Sequence, residues 1–371
     1  MDDPGVLGYL AIAVATVAVT YGLVPVAMRA AVRWGILDRP GGYKQQVDAV
    51  PYLGGAVIAL AVVGGVAVAG LVRPPSARAG ELWVILGVAA AVALVGLYDD
   101  LRGMGPVGKL AAILAAALAL WAGGIRVDVA GPDVLDLGIT LLWIVGITNA
   151  MNLLDNMDGL SAGVAAIGAT AFFGLAAVNG QYLVAALALA VAGAAVGFLP
   201  RNTHPARVYM GDAGSLFLGV MLAVVGIKLR FPNVPRSIAP LIPISVLSVP
   251  ILDTTVVVIS RIANHRPVWR GARDHLSHRL TAIGLAVPVA VGLIWGGVAA
   301  SAWLAVIISR LRDPTTAWAL AGLSATLAVL VGLLLGHVPV HGQQRRHLRV
   351  TSDAGPPAGA DPAPAQQQAR Q

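Results

Sequence analysis

Long apolar runs, broken at short intervals by polar and charged loops, dominate this chain. The apolar positions fill whole blocks rather than one stripe, so the helices they form have no water-facing side. A helix that crosses a bilayer needs about 20 such residues. Blocks near that length recur at 6–28, 53–72, 82–98, 107–122, 138–151, 160–178, 181–199, 213–229, 237–260, 283–308 and 317–336. They predict an all-α, polytopic integral membrane protein with eleven transmembrane helices. The first block is too long for a signal-peptide core, and Asp2 and Asp3 precede it where a basic segment would be expected. It reads as a retained span. No internal repeat of solenoid length is visible.

Composition agrees. The 371 residues are 57% hydrophobic and 12% charged, with a mean hydropathy of +0.80, which excludes a soluble domain of this length. There is no cysteine, so disulfides, thiolate metal sites and a cysteine nucleophile are excluded. The formal charge of +7 could suggest nucleic acid, but the basic residues sit in short loops between spans. With the N-terminus outside, the inner loops collect Arg29, Arg33, Arg39, Lys44, Arg102, Lys109, Arg201, Arg207 and all the arginines from Arg261 to Arg279. The outer loops keep fewer, among them Arg73, Arg126, Lys228 and Arg230. The positive-inside rule then favours N-out/C-in and removes the case for nucleic acid. The chain divides into a multi-span domain, 1–338, and a Pro-, Ala- and Gln-rich tail, 339–371, expected to be a disordered cytoplasmic segment.

This orientation gathers the polar chemistry at the inner face, as a site open to cytosolic substrate would require. Asp99 and Asp100 follow a span directly, and Lys109 lies shortly after. Two carboxylates this close repel unless a cation sits between them or one is protonated; oxygen ligands of this kind suit Mg²⁺. The plain alternative is a solvated helix end. Asn149, Asn152 and Asp155 recur at a spacing that places them on one helix face, and Asp158 and Gly159 follow at a turn. Asp212, in Met210-Gly211-Asp212-Ala213-Gly214-Ser215, opens a span, where the simplest role for an aspartate is an N-cap. Asp253 lies at membrane depth, either functional or the partner of Arg261. His275 and His278 stand three apart in an arginine-rich loop with Arg261 and Arg279. That pattern fits an anion site better than zinc, and position 277 is expected to point away from the pocket.

These elements, in this order, resemble the polyprenyl-phosphate N-acetylhexosamine-1-phosphate transferases, the MraY/WecA-type membrane family. The resemblance runs from about Asp38 to Leu280 and includes Asp38-Arg39-Pro40, Lys44 and Pro51-Tyr52-Leu53-Gly54-Gly55. It departs from the family pattern at Tyr43, at Gln46, at Asn156 (commonly Gly) and at Ser277 (commonly His). The resemblance implies transfer of a sugar-1-phosphate, GlcNAc-1-phosphate foremost, from a UDP-N-acetylhexosamine to a polyprenyl phosphate, with release of UMP. This would be the first step of a cell-envelope glycan, carried out at the cytoplasmic membrane. It implies Mg²⁺, with Mn²⁺ as a substitute, held by Asp212, Asp100 and Asn152. Asp99, Asp100, His275 and His278 would be catalytic; Lys44, Lys109, Asn149, Asn152, Asp155, Asp158, Arg261 and Arg279 would bind substrate. A homodimer is compatible with it. The alternatives are a UDP-MurNAc-pentapeptide phosphotransferase and, outside enzymes, a secondary transporter, which would place its polar site near the midplane.

Overall fold

Apolar blocks with nowhere else to satisfy their backbone groups become helices in a bilayer. The computed structural model describes residues 5–38, 49–72, 79–128, 132–269 and 273–339; Lys44 and the tail beyond 339 lie outside them. The elements run α1 (Gly5–Trp34), β1 (Leu37–Asp38), β2 (Val50–Pro51), α2 (Gly54–Val72), α3 (Ala79–Arg102), α4 (Pro106–Ala122), α5 (Asp133–Leu154), α6 (Leu160–Val178) and α7 (Tyr182–Asn202). They continue with α8 (Gly211–Lys228), α9 (Leu241–Val246), α10 (Ser248–Ala263), α11 (Leu276–Ala282), α12 (Val287–Ile308) and α13 (Pro314–Gly336). Among the described residues the exception to helix is the two-residue antiparallel pair β1–β2, in which Leu37 faces Pro51 and Asp38 faces Val50.

Nine of the described helices are long and apolar enough to cross a membrane, and the molecule is a multi-pass membrane protein. The other two of the eleven predicted blocks are present as shorter helices. The predicted block 107–122 is α4, a shorter apolar helix of 17 residues. The block 237–260 is not one helix: it breaks at Leu247 into α9 and α10. Pro250 explains the break, because it has no N–H to donate to Val246 and its ring clashes with that carbonyl.

α8 is the axis of the bundle. Almost every residue from Ala213 to Lys228 is buried, against α3, α5, α2 and α7. α13 is the opposite case: it leaves Trp318, Leu323, Leu327 and Leu334 exposed, an apolar outer surface that lipid solvates as well as protein would. The bundle has two polar ends. At one, Lys228 at the end of α8 pairs with Glu81 at the start of α3 at 2.5 Å. At the other, the C-terminal ends of α3, α5 and α7 meet the N-terminal ends of α4, α6 and α8, and the candidate site lies there.

Candidate active site

The first turn of α8 organises this end. Helix N-termini leave backbone N–H groups without partners. Here Asp100, from the last turn of α3, supplies them: its Oδ1 accepts from Asp212 N at 2.8 Å and its Oδ2 from Ala213 N at 3.0 Å. The approach needs Gly211, which has φ +66; a Cβ there would lie 2.5 Å from the Asp100 carboxylate. It also needs Gly96, where a Cβ would lie 2.4 Å from the Asp212 carbonyl oxygen. The simplest sequence-based role for Asp212, capping its own helix, is therefore filled by Asp100 from another helix. That leaves the Asp212 carboxylate free to project.

Asp212 meets three other helices. Lys109 Nζ, from α4, contacts its Oδ2 and lies 2.5 Å from Asp99 Oδ2, so one ammonium bridges two carboxylates. Asn152 Nδ2, from α5, donates to Asp212 Oδ1 at 2.7 Å and to Ser215 Oγ at 2.9 Å. Asp155 ends α5 beside them. Burial, and then the charges of Asp212, Asp100 and Asp158, push its carboxyl well above the usual carboxylate range.

The segment before α8 is held from several sides. Tyr209 N donates to Pro51 O, while Gly54 N and Gly55 N, at the start of α2, donate to the carbonyls of Tyr209 and Met210. The Pro51–Gly55 motif thus docks directly beside the carboxylates. Tyr52 Oη adds a hydrogen bond to the Asp100 carbonyl at 2.7 Å. Tyr209 is half-buried in the negative field of Asp158, Asp38 and Asp155, and its phenol is pushed up to about 12, chiefly by burial.

A second group forms on α10 and α11. Asp253 is buried, and its Oδ2 lies 2.7 Å from His275 Nδ1 while its Oδ1 accepts from Leu276 N at 2.8 Å. A carboxylate can only accept, so Nδ1 carries the hydrogen. The alternative partner, Arg261, is elsewhere: its Nε donates to Asp274 and its Nη1 to Val268 O. The rings of His275 and His278 stand edge to face with centroids 6.3 Å apart. Burial first, then His275 and Arg273, lowers His278 to about 4, so its ring is neutral at physiological pH. Ser277 points away from the histidines, as expected, but into the turn after α5, where its Oγ donates to Asn156 Oδ1 at 2.6 Å.

The structure thus brings together Asp99, Asp100, Lys109, Asn152, Asp155 and Asp212, with His275 and His278 joined through Ser277. Two others have further bonds of their own. Asn149 donates back to Val145 O in its own helix. Asp158 holds the loop before α8, accepting from His204 Nδ1 and Ala206 N. Arg261 and Arg279, expected to bind substrate, have protein partners in this structure. Both are buried, and Arg279 donates to the carbonyls of Asp274, Leu335, Gly336 and Val338, so its guanidinium caps the C-terminal end of α13. Arg261 is held by Asp274 and Val268. Sequence reasoning missed His204, and it missed Asn202, whose amide ties Gly159 N to Val208 O. A polar run at 200–205 directly after a span was the available signal.

The fold and this end of the bundle define a multi-pass membrane protein that concentrates carboxylates, a lysine and two histidines where its helices reach the surface. Comparison with known proteins is specific about which class this is. A glycosyl transferase family 4 profile matches residues 82–230. The probable undecaprenyl-phosphate N-acetylglucosaminyl 1-phosphate transferase of Bacillus subtilis (strain 168) is 34% identical over 282 residues, covering 74% of this chain and 77% of its own. The decaprenyl-phosphate N-acetylglucosaminephosphotransferase of Mycobacterium tuberculosis (strain ATCC 25618 / H37Rv) is 32% identical over 346 residues, 84% of this chain and 85% of its own. The phospho-N-acetylmuramoyl-pentapeptide-transferase of Rubrobacter xylanophilus is 33% identical over 272 residues, covering 66% and 78%. The chain belongs to glycosyl transferase family 4 and is a membrane phosphotransferase of that family.

Proposed function

We propose that the protein transfers GlcNAc-1-phosphate from UDP-GlcNAc to a polyprenyl phosphate at the cytoplasmic face of the cell membrane, releasing UMP. The observation that carries this is the convergence of Asp99, Asp212, Lys109 and Asn152 from four helices at one end of the bundle. The reaction brings several phosphate charges together, so catalysis is mostly positioning and charge neutralisation. An oxygen of the lipid phosphate bonds to the sugar-bearing phosphorus as the phosphoanhydride bond to UMP breaks, and UMP leaves with its bridging oxygen. The relatives named as GlcNAc phosphotransferases match more of the chain than the muramoyl relative does, which favours GlcNAc.

The donor set fits a hard divalent cation. Asp99 and Asp212 share one ammonium, two carboxylates against one cation, and the amide of Asn152 adjoins Asp212. Asp212, with the oxygen of the Asn152 amide, would hold Mg²⁺; Mn²⁺ has the same ligand preferences. Asp100 acts as the anchor of α8, because both its oxygens already hold backbone N–H groups. When bound, the ion neutralises phosphate oxygens. Lys109 keeps Asp99 and Asp212 together and Asp99 orients the lipid phosphate. His275 through Nε2, and His278 as a neutral ring, meet phosphate oxygens from the opposite side.

Incubating the purified protein with a panel of UDP-sugars, Mg²⁺ and polyprenyl phosphate tests the substrate. UMP release with UDP-GlcNAc above the other sugars is expected, and preference for the muramoyl-pentapeptide nucleotide would overturn the assignment. The N-out/C-in orientation is tested by labelling cysteines introduced at Asp133 and Gln344, since the chain has none of its own. Opposite-side labelling is expected; labelling from one side contradicts it.

A further inference from the structure

The site has two poles. The carboxylate pole is built from α3, α4, α5 and α8 and the histidine pole from α10 and α11. For a reaction across several phosphates their separation matters, since misplacement by about 1 Å can lower a rate a hundredfold. α11 has only seven residues; Asp253 and the end of α13 hold it, and neither belongs to the carboxylate pole.

A side-chain hydrogen bond crosses between the poles. Ser277 is 1% exposed and donates to Asn156 Oδ1 at 2.6 Å. Asn156 directly follows Asp155, and its Nδ2 donates to Leu153 O at 2.8 Å. Both ends of the amide are therefore engaged: Leu153 O accepts from the NH₂, and the serine hydroxyl donates to the oxygen. Several hydroxyls in this bundle bond the preceding turn of their own helix, as Thr148 does with Ile144 O, Thr170 with Ala166 O and Ser301 with Gly297 O. Ser277 instead reaches a loop 121 positions away, from between the two histidines.

We propose that the Asn156–Ser277 hydrogen bond is a positioning latch that sets the spacing between the carboxylate and histidine poles, and so acts on turnover without touching substrate. It rests on the reaction proposed above. Residue 277, which looks dispensable on a helical projection, gains a role through Asn156. Loss of the bond leaves α11 tied through Leu276 N to Asp253 and through Arg279 to the end of α13 but removes its tie to the loop that follows Asp155, so the histidine pole can shift as a unit against the carboxylates.

The test is a double-mutant cycle with Ser277→Ala, Asn156→Ala and the pair, reading kcat and KM for UMP release alongside the thermal midpoint. Each single variant is expected to lower kcat by about threefold to tenfold, the range of one hydrogen bond expressed as a rate. KM for the nucleotide sugar and the midpoint should stay put, and the pair should be no worse than the poorer single variant. Ser277→Thr, which keeps the hydroxyl, should recover kcat; if its methyl blocks folding, the alanine cycle alone decides. Wild-type kcat in the alanine variants, or losses that multiply in the pair, would overturn the latch. Hydrogen exchange over residues 276–282 separates this from failure of the proposed reaction. If the wild type releases no UMP, faster exchange in Ser277→Ala still supports the latch, and unchanged exchange ends it.

Discussion

The carboxylate of Asp100 caps the helix that carries Asp212: its Oδ1 accepts the Asp212 backbone N–H at 2.8 Å, across 112 positions of sequence. Two aspartates that look interchangeable as metal ligands thus have different work. One fixes the start of α8; the other faces Lys109 and Asn152.

This division predicts opposite phenotypes. Asp100→Ala removes the acceptor for two backbone N–H groups and should cost about 1–2 kcal/mol of stability, the range for a lost cap. Asp212→Asn keeps the shape and the contact with Asn152 but loses the charge, so turnover should vanish while the thermal midpoint in detergent holds. Thermal melts and UMP release on the two variants check this. A stable Asp100→Ala protein, or an active Asp212→Asn enzyme, would show that the roles are misassigned.

Asp253 fixes the tautomer of His275, so Asp253→Asn should impair turnover more than substrate binding. The amide oxygen can accept from either His275 Nδ1 or Leu276 N, but its NH₂ opposes the other donor. A loss of at least about tenfold in kcat, roughly 1.4 kcal/mol at the transition state, is expected. Kinetics of the variant over a range of UDP-GlcNAc concentrations test it; a changed KM at unchanged kcat would place Asp253 in substrate binding instead.

His278 links stability to pH. Its pKa falls from 6.5 to about 4 on folding, so between those values the unfolded chain binds the additional proton. Stability from this group is intact above 6.5 and is lost as pH falls toward 4. The thermal midpoint of the wild type should therefore drop more steeply over that interval than that of His278→Ala. Parallel curves would mean that the ring is solvated and titrates normally.

Much of this was legible in the sequence, for identifiable reasons. The spans follow from composition, since a bilayer leaves apolar blocks little choice but helix. The break at Leu247 was also written there, in Pro250, but a window of hydropathy averages over a proline. Side-chain fates were harder. Arg279 reads as an anion-binding residue in a basic loop, yet the carbonyls at the end of α13 claim its guanidinium. Nothing local to either segment reports that meeting. Asn156 and Ser277 each depart from the pattern of the family, and only the fold shows that the two departures touch.

In the proposed reaction a sugar moves together with its phosphate. A radiolabel on the sugar-bearing phosphorus of UDP-GlcNAc follows that bond directly when the purified protein is given polyprenyl phosphate and Mg²⁺. The label is expected to pass to the lipid fraction while unlabelled UMP accumulates, and Asp212→Asn should transfer none. Label retained in the nucleotide as UDP, with an unlabelled glycolipid formed, would mean that the sugar alone is transferred and would contradict the proposed reaction.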